Sequence, residues 1–396
     1  MRHIRFGPSG GQLLARRWAK RTSQGLAWAA LAFLGSKMLV LLTNLWWFPT
    51  LKPSTAQQTT SVGTETRAPV DPEFTLLVPL RDEALRLPKT LPGLLAAGAT
   101  EIVFLDDQST DGSAELLRTL TKSRPPAQRP IIRVITGAPR PAGWVGKTWA
   151  CEQLATATDT ERLIFCDADV DLAPSALAAV AAEMDRQQAD VFSVICRQRT
   201  VSWAERLLTP LITDVVLCLF PFGLLRAPAP SAATAEGMLL VFRRAAYDQL
   251  GGFAAVRHEL VEDVAIARLT RRRGLQLGLV LGGDLVQARM YTGYRQIITG
   301  LGRGLAPVVG GRRWLVAAGW LFHLLTYTAP FALLHRSWQW RVAALLGIAE
   351  RLLVEAKTGG RDWPAALLVA ASPVAAFPVV VRAMRRRQVW KGRSYG

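Results

Sequence analysis

The sequence predicts an α/β fold, a mostly parallel, Rossmann-like sheet carried between apolar segments at the two ends of the chain. Three observations lead there. From residue 74 onward, short apolar runs alternate with amphipathic ones at the spacing of strand, helix, strand. Those strand-like runs end in carboxylates, most plainly where Leu163-Ile164-Phe165-Cys166 meets Asp167, Asp169 and Asp171. Long stretches without formal charge lie before residue 50 and after residue 313.

With 396 residues, the chain is long enough for one large domain plus additions. Half its residues are hydrophobic and mean hydropathy is positive. A net charge of +18 invites a nucleic-acid partner, but the placement of the charge argues against one. Arg2, Arg5, Arg16, Arg17, Lys20 and Arg21 precede the first apolar segment, and Arg382, Arg385, Arg386, Arg387, Lys391 and Arg393 follow the last. Cations flanking apolar segments point to an anionic bilayer surface instead. Cys151, Cys166, Cys196 and Cys218 form no CxxC pair, and the four histidines are scattered, so a zinc site is not expected.

The basic N-terminus and a hydrophobic anchor occupy residues 1–49. Residues 26–48 can span a bilayer, with Lys37 inside and Trp46-Trp47 at the interfacial end; an interfacial helix is the alternative. Lys37 is costly at mid-depth unless it snorkels or meets a partner. No small-residue cleavage site follows, which disfavours a secretory signal. Residues 50–73, rich in Thr, Ser, Gln and Pro, read as a linker.

Residues 74–305 hold the sheet domain. A strand over 74–79 runs into Arg81-Asp82-Glu83, then a helix places Leu87, Leu91, Leu94 and Leu95 on one face. A second strand, 101–105, ends in Asp106-Asp107-Gln108-Ser109-Thr110-Asp111-Gly112. Acids there, at the edge where open α/β sheets bind ligands, can accept hydrogen bonds from a base or a ribose hydroxyl. A third strand is expected over 131–135 and a helix over 151–158. The strand ending at Cys166 follows. Extended backbone would put Asp167, Asp169 and Asp171 on one side, where a carboxylate pair can hold Mg²⁺ or Mn²⁺ and, through it, a diphosphate. An acidic turn closing the strand is the bland alternative. The turn after the first strand lacks GxGxxG, so a dinucleotide fold is disfavoured. Gly146-Lys147-Thr148 is not the end of a P-loop, because position 141 is Pro. Lys147 is either a point charge for a phosphate or an ordinary surface lysine.

Further strands are expected over 190–196 and 235–242, with an edge strand over 278–281. The helix after His258 carries Glu262 and Asp263 in its first turn, where they suit the helix dipole. Residues 207–225, broken by Pro210 and Pro221 and containing Asp214, read as an amphipathic element at the membrane interface. Residues 289–304 suggest a basic helix. The remainder, 306–396, is a transmembrane region with a basic tail. It has a span over 314–334, a kinked apolar stretch over 363–381, and an amphipathic run over 342–354 that is interfacial or a short third span. The positive-inside tendency favours a cytosolic tail and an even number of spans after the soluble domain. The basic N-terminus makes the opposite demand, because a single span after it would put the sheet domain outside.

Taken in order, Val78-Pro79-Leu80-Arg81-Asp82-Glu83, the Asp106–Gly112 stretch, Gly143-Trp144-Val145-Gly146-Lys147, Asp167-Ala168-Asp169, Gly251-Gly252-Phe253 and Glu262-Asp263 resemble the membrane-bound family 2 glycosyltransferases of GT-A fold. Gly143–Lys147 and the closing Trp390-Lys391-Gly392-Arg393-Ser394-Tyr395 look most like carotenoid- and hopanoid-associated members. The resemblance implies a GT-A domain with N- and C-terminal membrane helices. It implies that Pro79, Glu83, Asp107, Lys147 and Asp167 line a nucleotide sugar, and that Asp167 and Asp169 hold the metal. Asp263 is the implied base, with Glu262 beside it. The implied reaction is inverting transfer of a hexose, glucose first, to a hydroxyl of a membrane lipid such as a hydroxylated carotenoid. Hopanoid precursors, glycerolipids and polyprenyl phosphates are alternatives, and a non-catalytic membrane scaffold is the reading of a different class. An inner-membrane location with a cytoplasmic sheet domain follows. Three positions depart from the family pattern: Asp82 stands where Asn is usual, Glu236 where Gln or Asn is frequent, and Tyr294-Arg295-Gln296-Ile297-Ile298 does not match the Gln-x-x-Arg-Trp of polymerases.

Overall fold

A computed structural model describes residues 10–53, 74–122, 130–360, 362–386 and 388–395. Most of the expected linker, with Arg2, Arg5 and Arg387, lies outside the described residues.

The strands, in chain order, are β1 Thr75–Leu80, β2 Glu101–Asp106, β3 Ile131–Thr136, β4 Arg162–Cys166, β5 Val170–Leu172, β6 Val191–Ile195, β7 Arg197–Gln198, β8 Leu239–Arg243, β9 Leu277–Leu281, β10 Val286–Ala288, β11 Gln388–Trp390 and β12 Arg393–Tyr395. Seven of them build the main sheet in the order β3-β2-β1-β4-β8-β6-β9. All pairings are parallel except those of β8, which runs antiparallel to β4 and β6. The strands are apolar on both faces because helices cover both. Leu76, Val78, Phe104 and Ile164 face one core, and Leu77, Val103, Leu105 and Phe165 the other. β1, β2 and β4 are parallel neighbours, so their C-terminal ends open at one edge, where the motif acids emerge.

Three expectations change here. The stretch 167–171 is not one extended strand. The chain turns at Asp167–Asp169, with Val170 N–H donating to Asp167 O at 3.1 Å, and β5 joins a separate sheet with β10 and β7. Asp171 pairs there with Arg199 at 3.2 Å, away from the other two acids. The expected strand over 235–242 begins only at Leu239. Helix Gly146–Thr156 starts earlier than the apolar periodicity suggested, and this puts Lys147 in a first helical turn rather than on a loop.

The first helix, Gly10–Trp47, continues into the sheet domain. Phe48 and Leu51 enter the two cores, and Leu51 N–H donates to Leu281 O on β9 at 2.8 Å. Among the described residues, two helices are long and apolar enough to cross a membrane, Arg21–Trp47 and Arg313–Ala332. Residues 342–354 belong to a longer helix, Trp338–Thr358, with Glu350, Arg351 and Glu355 buried. Residues 207–225 break at the prolines into three short helices, Trp203–Leu208, Leu211–Leu219 and Phe222–Arg226. Asp214 of the second points inward, and this element packs on the first helix.

Candidate active site

Two loops at the sheet edge are tied together by their own polar side chains. Asp82, held at φ 49°, accepts a hydrogen bond from Thr110 N–H at 2.8 Å, and its own N–H donates to Ser109 Oγ at 3.0 Å. Glu83 N–H donates to Ser113 Oγ at 2.7 Å. Asp82, in place of the usual Asn, is therefore an acceptor that clamps the β1 loop to the β2 loop. Asp107 is fixed by its N–H donating to Leu80 O at 2.7 Å. Pro79 sits on β1 opposite Leu105, one residue before this edge.

Asp167 and Asp169 leave β4 in the turn just described. Thr90 Oγ1 donates to Ala168 O at 2.6 Å and pins the turn to helix Leu87–Ala96. Behind it, Phe253 packs edge-on against Phe165 at 5.0 Å. Gly252 lets the chain come this close, since a Cβ there would meet the Tyr247 ring at 2.8 Å. The Gly251-Gly252-Phe253 motif is thus a support for β4 and not a ligand-binding loop.

Lys147 joins the halves of the site. Its Nζ lies 2.8 Å from Asp167 and 3.0 Å from Glu262 and donates to Gly237 O at 3.0 Å. Burial opposes its charge, but the carboxylates of Asp167 and Glu262 hold it well above the ordinary lysine range. Asp263 accepts from Gly237 N–H at 2.7 Å and from its neighbour Val264 N–H at 2.8 Å. Desolvation, then the charge of Glu262, pushes Asp263 up to about 7. Glu236 accepts from Cys196 N–H at 2.9 Å and from Gln198 Nε2 at 3.3 Å. Desolvation pushes its carboxyl well above the carboxylate range.

The acid pair fits a hard cation. Oxygen donors from one turn suit Mg²⁺ or Mn²⁺. Among the described residues, no group donates a hydrogen bond to the Asp169 carboxylate. Desolvation, with Asp167 and Glu83 beside it, pushes Asp169 up to about 7. A cation between the two acids would relieve that repulsion. Asp214, Cys218 and Glu350 also converge, but the ammonium of Lys37 fills that cluster, 2.8 Å from each carboxylate.

The structure therefore brings Glu83, Asp107, Lys147, Asp167, Asp169, Glu262 and Asp263 to one edge. The sequence reading missed Arg86, which pairs with Glu83 at 3.0 Å; the i, i+3 spacing at a helix start was the available signal. It also assigned no site role to Lys391 and Arg393, which reach Glu83 and Asp107. Their marks in the sequence are the turn glycine between them and the closing stretch 390–395 that carries the family resemblance.

Comparison with known proteins gives a family match and more distant likenesses. Residues 75–251 match Glycosyl transferase family 2. The 4,4'-diaponeurosporenoate glycosyltransferase of Staphylococcus haemolyticus is 27% identical over 59% of this chain and 61% of its own length. The protein of the same name from Staphylococcus aureus is 24% identical over 63% and 66%. The match thus spans about three fifths to two thirds of these relatives. A mannosyltransferase from Pyrobaculum calidifontis, solved with GDP-Man and Mn²⁺, superposes with a TM-score of 0.49 at 16% identity over 91% of this chain and 98% of that one. Residues 75–251 thus resemble a family 2 glycosyltransferase domain, and the sheet is mostly parallel, as the sequence predicts.

Proposed function

We propose that this chain transfers one sugar from a nucleotide-diphosphate sugar to a hydroxyl of a membrane-dissolved lipid, a hydroxylated carotenoid or related terpenoid, with inversion. The observation that supports this is the bridge made by Lys147, which ties Asp167, beside Asp169, to Glu262 and to Gly237 O, while Gly237 N–H is held by Asp263. Glu83 and Asp107 would accept hydrogen bonds from the ribose and base. Mg²⁺ or Mn²⁺ on Asp167 and Asp169 would offset the diphosphate charge as it leaves. The acceptor oxygen attacks the anomeric carbon, the bond from that carbon to the diphosphate oxygen breaks, and the hydroxyl proton passes to Asp263.

A lipid acceptor is supported by the apolar surface, with Trp46, Trp47, Trp314 and Leu345 strongly exposed beside the two long apolar helices. It is also supported by the relatives' names, which carry a carotenoid. Those names describe a carotenoid acid. A carboxylate attacks without losing a proton, so the Asp263 position, with its raised pKa, favours a hydroxyl here. Glucose as the sugar rests on the family resemblance alone.

The test offers the purified protein labelled UDP-glucose, Mn²⁺ and a total lipid extract from its host. Label should enter the organic phase, with the first product β-linked from an α-linked donor by NMR. Asp169→Asn should stay folded and lose transfer. Label only on water-soluble glycan would overturn the lipid acceptor, and full turnover in Asp169→Asn or in chelator would overturn the site.

A further inference from the structure

We infer that the C-terminal hairpin completes the donor site, with Lys391 and Arg393 binding the diphosphate of the nucleotide sugar; this rests on the donor reading above. β11 and β12 pair antiparallel, Trp390 opposite Arg393, and Lys391 and Gly392 form the tip, both with positive φ. The tip sits on the two loops that carry Glu83 and Asp107. Lys391 Nζ lies 2.5 Å from Glu83 Oε1 and donates to Arg81 O at 2.5 Å. Arg393 spans the Asp107 carboxylate with both terminal nitrogens, at 2.6 and 2.9 Å. Arg81 Nε returns a hydrogen bond to Lys391 O at 3.3 Å. The fit is built in on the other side too. A Cβ on Gly146 would collide with the Arg393 guanidinium, so the second glycine of Gly143–Lys147 makes room for the tail. The charge of Lys391 is also felt at Asp167 and Asp169.

The charge balance of the cleft says what these cations are for. Glu83, Asp107, Asp167 and Asp169 converge there, and a diphosphate adds further negative charge. The domain's own cations are committed, Lys147 to Asp167 and Glu262 and Arg86 to Glu83. One divalent ion offsets only part of the rest. An ammonium and a guanidinium are both phosphate ligands, the second bidentate. Without a donor they rest on Glu83 and Asp107. When ribose and base hydrogen bonds occupy those acids, the cations are released to the phosphates. The hairpin lies outside residues 75–251, the stretch that matches the family, so the donor site would be closed by a segment the family match does not include.

Binding is measured by calorimetry on the full-length protein in detergent, with UDP, GDP and dTDP in Mn²⁺, and then with the monophosphate of whichever binds tightest. Lys391→Ala and Arg393→Ala should each weaken the diphosphate by about tenfold or more and the monophosphate by less than about threefold. Lys391→Arg should restore most of the loss. Diphosphate binding that is unchanged, or tightened as for a plug that competes with the donor, overturns the inference. An equal loss for mono- and diphosphate overturns it as well, because that is the signature of a collapsed site. Wild-type protein that binds none of the nucleotides would overturn the donor reading itself.

Discussion

At the scale of single residues, the site works by setting proton affinities through burial and neighbours. Asp263 is held near 7 by desolvation and by Glu262, against the pull of Lys147 and two backbone N–H groups. A base must be deprotonated to act, so kcat/KM should rise with pH through about 7 and level off above it. Asp263→Asn should lose about 10²–10⁴-fold in turnover and lose the acidic limb, with donor binding retained. A pH–rate profile that keeps its limb in the asparagine variant would assign the limb elsewhere, Glu262 being the neighbour to test. The same shift bears on stability with a definite sign. Asp263 ionises at about 4 in the unfolded chain and about 7 in the folded one. The folded chain therefore holds the extra proton between those values, and the cost of ionising Asp263 in the fold grows as pH rises across that window.

At the scale of elements, the costly residue of the first helix is explained by what it meets. Lys37 Nζ lies 2.8 Å from Asp214 and 2.8 Å from Glu350 and donates to the Tyr327 hydroxyl at 2.5 Å. Three segments distant in sequence are thereby fastened to the first helix. Removing the cation would leave two buried carboxylates repelling each other. Lys37→Met should cost about 3–5 kcal/mol, read as a lowered unfolding midpoint in detergent. Adding Asp214→Asn and Glu350→Gln should recover most of it. A midpoint unmoved by Lys37→Met would show that the cluster is not what holds these helices. Asn44, about two turns further on, extends the same fastening, its amide donating to Leu217 O at 2.8 Å and to Phe220 O at 2.9 Å.

At the scale of the whole molecule, the tail decides a question of sidedness. Lys391 and Arg393 touch the sheet edge, so the C-terminus and the site share one side of any membrane the helices cross. That arrangement requires an even number of crossings after the sheet domain; among the described residues Arg313–Ala332 has the length and hydropathy of a span, and Val369–Ala383 is a shorter apolar helix that would have to supply the second. A protease site placed after Gly396 should be cut from the same face of sealed vesicles as one placed in residues 54–73. Cleavage from opposite faces would mean that the hairpin does not reach the site in the membrane.

The sequence by itself determined the sheet domain and most of the site. Strand, helix and strand announce themselves by period, and acids at strand ends announce the binding edge, because parallel sheets place every such end together. The sequence also marked Lys37 as needing a partner. Only the tertiary structure decided which partner, since Asp214 and Glu350 are far away in the chain and nothing local selects them. It also decided that the acids after β4 form a turn: alternate spacing is compatible with extended chain, but hydrogen bonding at Val170 and the pairing of β5 with β10 bend it. The sequence leaves Lys147 as either a phosphate-binding point charge or an ordinary surface lysine, and only the fold places it in a first helical turn, since the helix begins at Gly146. The role of the tail was least legible of all. A basic segment after the last apolar stretch reads as a bilayer contact, and its other destination exists only once the fold has brought Glu83, Asp107 and Gly146 together around it.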